Sequence, residues 1–434
     1  MSGGRLPIGH SPAGGFTLVE LMIATALGLL LTAGIVSVFA ATGKAGSVQM
    51  RMARLQEEAR YAVGRIGEDL AMAGAQYCSN GGGLATARTW AYQDDLRSPL
   101  SYVPAADLQL PDNSVTLATA PTAPFALPSS FFMRGYQCST TACRPDVPAA
   151  VAPAMGSGAG SRMRGADVLT VRYLSGRGWA VRADDASPLT PFDIVPSAGD
   201  PPLDTFAVGD LALLADCTQA QIFPVMRAGT RFTPETRFPG FVPVGVDTRS
   251  DLRLFDFNRD FVTVTYYLKL VADADPDAPS GHRVAALMRK VNGNAAQEIA
   301  RGVERLDFLY GIENDQGGTL YLTADQVDAG VDAAGVAVAC PPQPPVSATT
   351  AGCLWRAVKT IELHLLVNSS DELPTLTAGE LAYRYSCDGS ITCTSDAAVA
   401  PPAAPLTAPL DNGLGKRLLR REFTSVVSVR NYNP

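Results

Sequence analysis

The chain has 434 residues, 47% of them hydrophobic and only 18% charged, with a formal net charge of −7 at pH 7. That length buries one large core or two modest ones, which excludes a small domain held together by staples alone. The acidic balance excludes a general nucleic-acid binder, because such a protein needs a basic face to displace counterions from phosphates.

From Phe16 to Gly43 the only charged residue is Glu20, set in a run of Leu, Ile, Val, Ala and Phe. A helix from Phe16 to Ala41 would rise roughly 39 Å, enough to cross a hydrocarbon core of about 30 Å with some tilt. Burying a carboxylate at bilayer depth costs about 2.5 kcal/mol or more, so Glu20 calls for a function. Its place near the helix start sets it at the positive end of the helix dipole.

The stretch Gly15-Phe16-Thr17-Leu18-Val19-Glu20 resembles the prepilin peptidase site of type IV pilins and type II secretion pseudopilins. The resemblance implies that residues 1–15 are a leader cleaved after Gly15 and that Phe16 becomes a methylated N-terminus. It also implies that Glu20 neutralises the terminal amine of a neighbouring subunit during assembly. The leader carries Arg5 as its basic residue and none just before Gly15, so orientation by positive charge is weakly encoded. No small-residue signal peptidase site follows the apolar run, which is therefore expected to stay in the mature chain.

Residues 16–42 form the expected transmembrane or filament-core helix, and 43–75 its amphipathic continuation. No proline falls between Pro12 and Pro99. Val48, Met52, Leu55, Ala59, Ala62, Ile66, Leu70 and Ala73 recur at spacings of four and three, which sets them on one face. Arg51, Arg54, Glu57, Glu58, Arg65, Glu68 and Asp69 fall mostly elsewhere, and Gly74 is the expected C-terminal stop.

Residues 76–165 shift to Ala, Pro, Gly, Ser and Thr, with Gly81-Gly82-Gly83 and the Pro121 to Pro128 stretch, and read as irregular connections with short strands. Residues 166–434 are β-rich. Strands are expected at 168–173, 210–215, 221–225, 305–312, 358–367 and 423–429, with the clearest hairpin running from 261–268 back through 283–289. One long helix followed by many strands indicates an α+β protein, a large antiparallel β-rich domain packed on the amphipathic half of the helix. The Pro-rich stretches Pro341 to Pro345 and Ala398 to Pro409 read as surface connections.

Eight cysteines all lie beyond the apolar run. Cys138 with Cys143, Cys340 with Cys353, and Cys387 with Cys393 are close pairs, leaving Cys78 and Cys217 as the long-range remainder. In an oxidising compartment these read as disulfides, although sequence does not choose among the connectivities eight cysteines allow. Zinc is the rival reading, but no Cys-x-x-Cys occurs, and only His282 and His364 remain once a leader containing His10 is removed.

The order of a long apolar helix, a large β domain, the segment Val303-Glu304-Arg305-Leu306-Asp307-Phe308-Leu309-Tyr310-Gly311, Trp355 before a Val/Ile-rich strand, and the ending Arg421-Glu422-Phe423-Thr424-Ser425-Val426-Val427-Ser428-Val429-Arg430-Asn431 is similar to that of PilW-type minor pilins. Membership would imply a low-abundance subunit that primes type IV pilus assembly with other minor pilins and the major pilin, and helps present a PilY-type tip adhesin. It would also imply processing by prepilin peptidase. The expected location is the inner membrane, with a single-pass helix and a periplasmic C-terminal domain, and then the pilus tip. The alternatives are a J-type pseudopilin of type II secretion, usually a shorter chain, and a signal-anchored periplasmic binding protein that keeps its leader.

Catalytic patterns fail: there is no Gly-x-Ser-x-Gly, no complete phosphate loop and no His-Glu-x-x-His, so no enzyme, cofactor or metal site is expected. Asp273-Ala274-Asp275-Pro276-Asp277 imitates the start of a calcium loop, but Ala278 and Val284 replace the required Gly and Glu, so a solvated turn is expected. Lys416, Arg417, Arg420 and Arg421 form the only basic cluster, read as an exposed edge rather than a nucleic-acid contact.

Overall fold

The computed structural model describes residues 17–430 apart from 75–98, 109, 111–119, 185–188, 208, 217–218, 247–251, 274–280, 314–317, 342–351, 370, 374–375, 378–380, 382, 384, 386–413 and 415–416. The chain divides into two compact units between Arg54 and Leu55. Helix α1, Leu18–Met72, contributes to both.

In the first unit every residue from Thr17 to Gly43 is exposed. By length and composition the helix can cross a membrane. Its hydroxyls are satisfied within the helix: Thr25 donates to the Leu21 carbonyl at 2.9 Å, Thr32 to Gly28 at 2.9 Å, Ser37 to Gly34 at 2.7 Å and Thr42 to Val38 at 2.8 Å. Back-bonding of this kind lets a hydroxyl sit in an apolar surrounding without an unpaired donor.

In the second unit the helix buries Leu55, Ala59, Ala62, Ile66, Leu70 and Ala73, the face expected from their spacing. It stops where Gly74 takes φ 69°, the left-handed conformation favoured at a helix C-terminus, and donates its N–H to the Arg172 carbonyl at 2.9 Å. Two antiparallel sheets share a core with this face. The six-stranded sheet runs β14-β13-β12-β5-β3-β4, built from β3 Met133–Cys138, β4 Cys143–Arg144, β5 Val168–Leu174, β12 Phe261–Ala272, β13 Arg283–Val291 and β14 Gln297–Arg301. The four-stranded sheet runs β16-β15-β17-β18, from β15 Val303–Glu313, β16 Thr319–Leu322, β17 Val358–Asn368 and β18 Arg420–Ser428. Leu169 and Val171, Val264, Tyr266 and Leu268, and Leu363, Leu365 and Val367 alternate inward with period two and meet the helix residues in one cluster.

A third sheet interrupts the first. Strands β5 and β12 are antiparallel neighbours that end with Leu174 opposite Phe261, and Ser175 donates its N–H to the Asp260 carbonyl at 2.8 Å. Residues 175–260 are therefore an insertion into a hairpin. They contain β6 Trp179–Arg182, β7 Phe192–Val195, β8 Leu211–Ala215, β9 Ala220–Ala228, β10 Arg231–Pro234, β11 Arg253–Asp256 and the short helix α2 Phe257–Asp260. The order β10-β7-β6-β11-β8-β9, with β9 also pairing β10, closes a ring, so none of these six strands is left as a free end of the sheet. Phe192 stacks on Phe232 at 6.0 Å, and Phe206 meets Phe232 edge-on at 5.3 Å and Trp179 at 5.9 Å. These rings give the insertion a core separate from that of the main body. Strands β1 Leu100–Ser101 and β2 Phe125–Ala126 add to the outside of β9.

Cys138 pairs with Cys143 across β3 and β4, and Cys340 pairs with Cys353. Cys78, Cys217, Cys387 and Cys393 lie outside the described residues. Gly135 on β3 is fixed by a different contact. A Cβ there would collide with the Tyr310 hydroxyl and come within 2.7 Å of Tyr310 Cζ and 3.0 Å of Trp355 Cη2. Tyr310 and Trp355 are themselves held edge-to-face at 4.9 Å, with the Trp355 indole N–H on Asp328 at 3.0 Å. Gly135→Ala is expected to lower the stability of the folded domain by about 1–3 kcal/mol, the usual cost of overpacking, read as a lower urea midpoint. An unchanged midpoint would show that the Tyr310–Trp355 pair moves aside freely.

Candidate functional site

Thr17 and Glu20 open the helix as a reciprocal pair. The Thr17 backbone N–H and hydroxyl both donate to Glu20 Oε2, at 3.0 and 2.9 Å, while the Glu20 N–H donates to the Thr17 hydroxyl at 3.2 Å. This is a capping box, Thr at the cap and Glu three residues on, and it satisfies two of the orphan donors at a helix start. The pattern Thr-x-x-Glu ahead of an apolar run was available in the sequence to predict it. Both Thr17 donors use the same oxygen, and Glu20 Oε1 takes no hydrogen bond among the described residues. The carboxylate is thus turned toward the chain's N-terminal side, with one oxygen open to a cation. Gly15 and Phe16 lie outside the described residues.

A second charged site lies at the other end of α1. Asp69 follows Ala62 and Ile66 at helical spacing and belongs to the buried face; it is 3% exposed. Reading it with the outward charges misses this, since the spacing 62, 66, 69, 73 was visible. Arg289 on β13 grips it with two hydrogen bonds, Nε to Oδ2 at 2.7 Å and Nη2 to Oδ1 at 3.0 Å. Tyr266 on β12 donates at 2.5 Å and Tyr173 on β5 at 3.0 Å. Three adjacent strands thus fasten to one helix carboxylate. Burial acts to raise the Asp69 carboxyl, but the hydrogen bonds from Arg289 and Tyr266 and the guanidinium charge hold it below the usual carboxylate range. Burial and the neighbouring Asp69 charge push the Tyr173 phenol up to about 12, so it stays a donor at neutral pH.

Residues 265–431 match the family Type IV Pilus-assembly protein W, PilW, and residues 11–36 match the prokaryotic N-terminal methylation motif. The two matches support a type IV pilus-related, pilin-like protein, similar to PilW over residues 265–431. The motif and the apolar helix together are those of a membrane-anchored pilin, and they imply prepilin processing and contact with other pilus components. No curated protein and no solved structure is matched by the chain.

The PilW match covers β13 to β18 and the inner part of β12, and begins after the inserted ring. Within it, the basic cluster of the sequence dissolves into structural contacts. Arg420 is buried against Glu304, Nε to Oε2 at 2.7 Å, with Asn368 donating to the same oxygen at 3.2 Å. Arg417 donates to the Leu376 carbonyl at 2.5 Å, Arg421 donates to the Arg420 carbonyl at 2.7 Å, and Lys416 lies outside the described residues. Of the three described residues, Arg420 is buried, Arg421 half-buried and Arg417 exposed. Asp273, first residue of the calcium-loop imitation, faces His282 Nδ1 at 2.8 Å, and the remainder of that loop lies outside the described residues. Among the described residues no group of three or more His, Cys, Asp or Glu is placed to hold a metal ion.

Asp69→Ala leaves the Arg289 guanidinium buried without its partner and is expected to cost about 3–5 kcal/mol, measured by urea unfolding at pH 7. The pH dependence has a fixed sign. A folded-state pKa below the unfolded value of about 3.9 gives stability that is full above that value and is lost as pH falls through the folded one. Asp69→Asn is therefore expected to remove this part of the acid sensitivity, and an unchanged acid profile would assign that sensitivity elsewhere.

Proposed function

We propose that this chain is a minor pilin of the type IV pilus, which primes assembly and forms part of the tip complex. The observation that carries the reading is the union of a prepilin-type N-terminus with a PilW match at the other end of one chain. Cleavage after Gly15 frees the Phe16 amine, and Glu20 is the carboxylate that receives such an amine from a neighbouring subunit. The capping box supports this role: it holds Glu20 at the helix start and leaves Oε1 open. Selectivity comes from desolvation, since a charge left unpaired within an apolar helix bundle is costly while a matched pair is tolerated.

Before assembly the chain sits in the inner membrane with its C-terminal domain in the periplasm, and it then passes into the filament at its tip. Its partners are other minor pilins, the major pilin, a PilY-type tip adhesin and prepilin peptidase. The β domain supplies recognition, while α1 supplies polymerisation.

Two measurements test the reading. Intact mass and N-terminal sequencing of the protein from membranes is expected to give a start at methylated Phe16 that depends on prepilin peptidase; a Met1 start with and without the peptidase would remove the assembly role from Glu20. Glu20→Gln, in cells lacking the wild-type copy, is expected to leave folding and membrane insertion intact and to reduce piliation at least tenfold, which corresponds to about 1.4 kcal/mol. Normal piliation would count against the charge-pair mechanism.

A further inference from the structure

Strand β18 ends the four-stranded sheet and pairs with β17 on one side only. The ladder fixes which of its backbone groups are used. Ser369 donates to the Leu419 carbonyl at 3.0 Å and Val429 to the Lys359 carbonyl at 2.9 Å, one beyond each end of the pairing. In an antiparallel pair, residues that exchange hydrogen bonds alternate with residues that do not. With Leu363 opposite Ser425, the odd-numbered residues of β18 bond to β17, and the even-numbered ones turn their N–H and C=O groups to the open side. Thr424, Val426 and Ser428 thus present three donor–acceptor pairs at strand spacing. All three are exposed, Val426 by 58%, and no partner for their outward groups occurs among the described residues.

Natural sheet edges are usually blunted by lysine, proline, a bulge or a covering segment. From Phe423 to Val429 the sequence has no charge and no proline, and the β17–β18 register runs without a shift. Phe423 and Val427 meanwhile pack against the shared core, and a Cβ on Gly67 of the helix would lie 3.7 Å from Val427 Cγ2, so the strand is anchored from behind. Arg430, exposed just past the strand, sets a positive charge at its far end.

We propose that β18 is a docking edge that takes an extended strand from a different protein chain. The occupant is proline-free and antiparallel to β18, with a β-branched residue opposite Val426 and a carboxylate opposite Arg430. Main-chain hydrogen bonds then supply affinity, and the alternate side chains supply selection. A second copy of this chain fits less well. Self-pairing centred on Val426 would need Glu422 as the acid opposite Arg430, and that carboxylate is already 3.1 Å from His364 Nδ1 on β17. The proposal goes beyond the Glu20 reading and stands without it, because the edge lies in residues 424–430 and is tested on the chain whatever its N-terminus.

The experiment is amide hydrogen exchange on the full chain in detergent, with and without the capped peptide Glu-Ser-Thr-Ser-Val-Ser-Thr. The Thr424, Val426 and Ser428 amides are expected to exchange fast in the isolated chain and about tenfold or more slower with the peptide present. Val426→Pro removes only an outward N–H, and is expected to abolish the slowing while the thermal midpoint holds. Val426→Thr is expected to retain it. Should the proline variant unfold, Val426→Lys supplies the same loss through an edge charge. Three results overturn the proposal: slow exchange in the isolated chain at every concentration, which means that its own segment covers the edge; slowing that rises with chain concentration, which means self-pairing; and no slowing at about 1 mM peptide, where a docking strand of even weak affinity is half bound.

Discussion

A carboxylate taken out of water must be answered charge for charge, and Asp69 is answered from three strands at once. Arg289 supplies the opposite charge, while Tyr266 and Tyr173 supply the remaining donors. Apolar burial of Leu55, Ala59, Ala62, Ile66, Leu70 and Ala73 holds the helix to the sheets and sets which face turns inward, but it fixes the height of the helix only loosely, because hydrophobic contact has no direction. The Asp69 cluster has direction. A helix turned or slid by one residue would leave a buried guanidinium and a buried carboxylate both unpaired. Glu304 with Arg420 repeats the device between β15 and β18, so the last strand is registered by charge as well as by its ladder.

The helix and the main strands were legible because they carry their own local patterns. Apolar residues from Val48 to Ala73 repeat at three and four. The hairpin of β12 and β13 shows as two apolar runs, the first rich in β-branched and aromatic residues, both buried on consecutive residues. What was not legible is pairing at a distance. The adjacency of β5 and β12 skips the whole inserted ring, and nothing local in Tyr173-Leu174 or Phe261-Val262 announces it. Closure of that ring by β9 on β10 is likewise a property of six short strands together. Strand β3 lies in a stretch rich in Pro, Ala and Gly, and the reason for Gly135 stands on Tyr310, far away in sequence.

The charged residues divide the same way. Glu20 stood out because it is alone in an apolar run, and its partner Thr17 sits three residues earlier. Asp69 was hidden in a helix rich in surface charge, where only its phase marks it as buried. Lys416, Arg417, Arg420 and Arg421 looked like a patch because they are neighbours in sequence, yet strand alternation and loop geometry send the described three to separate partners. Neighbourhood along a chain says little about neighbourhood on a surface.

The single entry and exit of the inserted ring has a mechanical consequence. Because Ser175 and Asp260 are joined by one hydrogen bond, tension carried along the backbone from β5 can cross to β12 without stretching residues 175–260. The ring is held at a second place as well, by β1 on β9 in the segment that leads into β3, so a pull on that segment reaches the ring too.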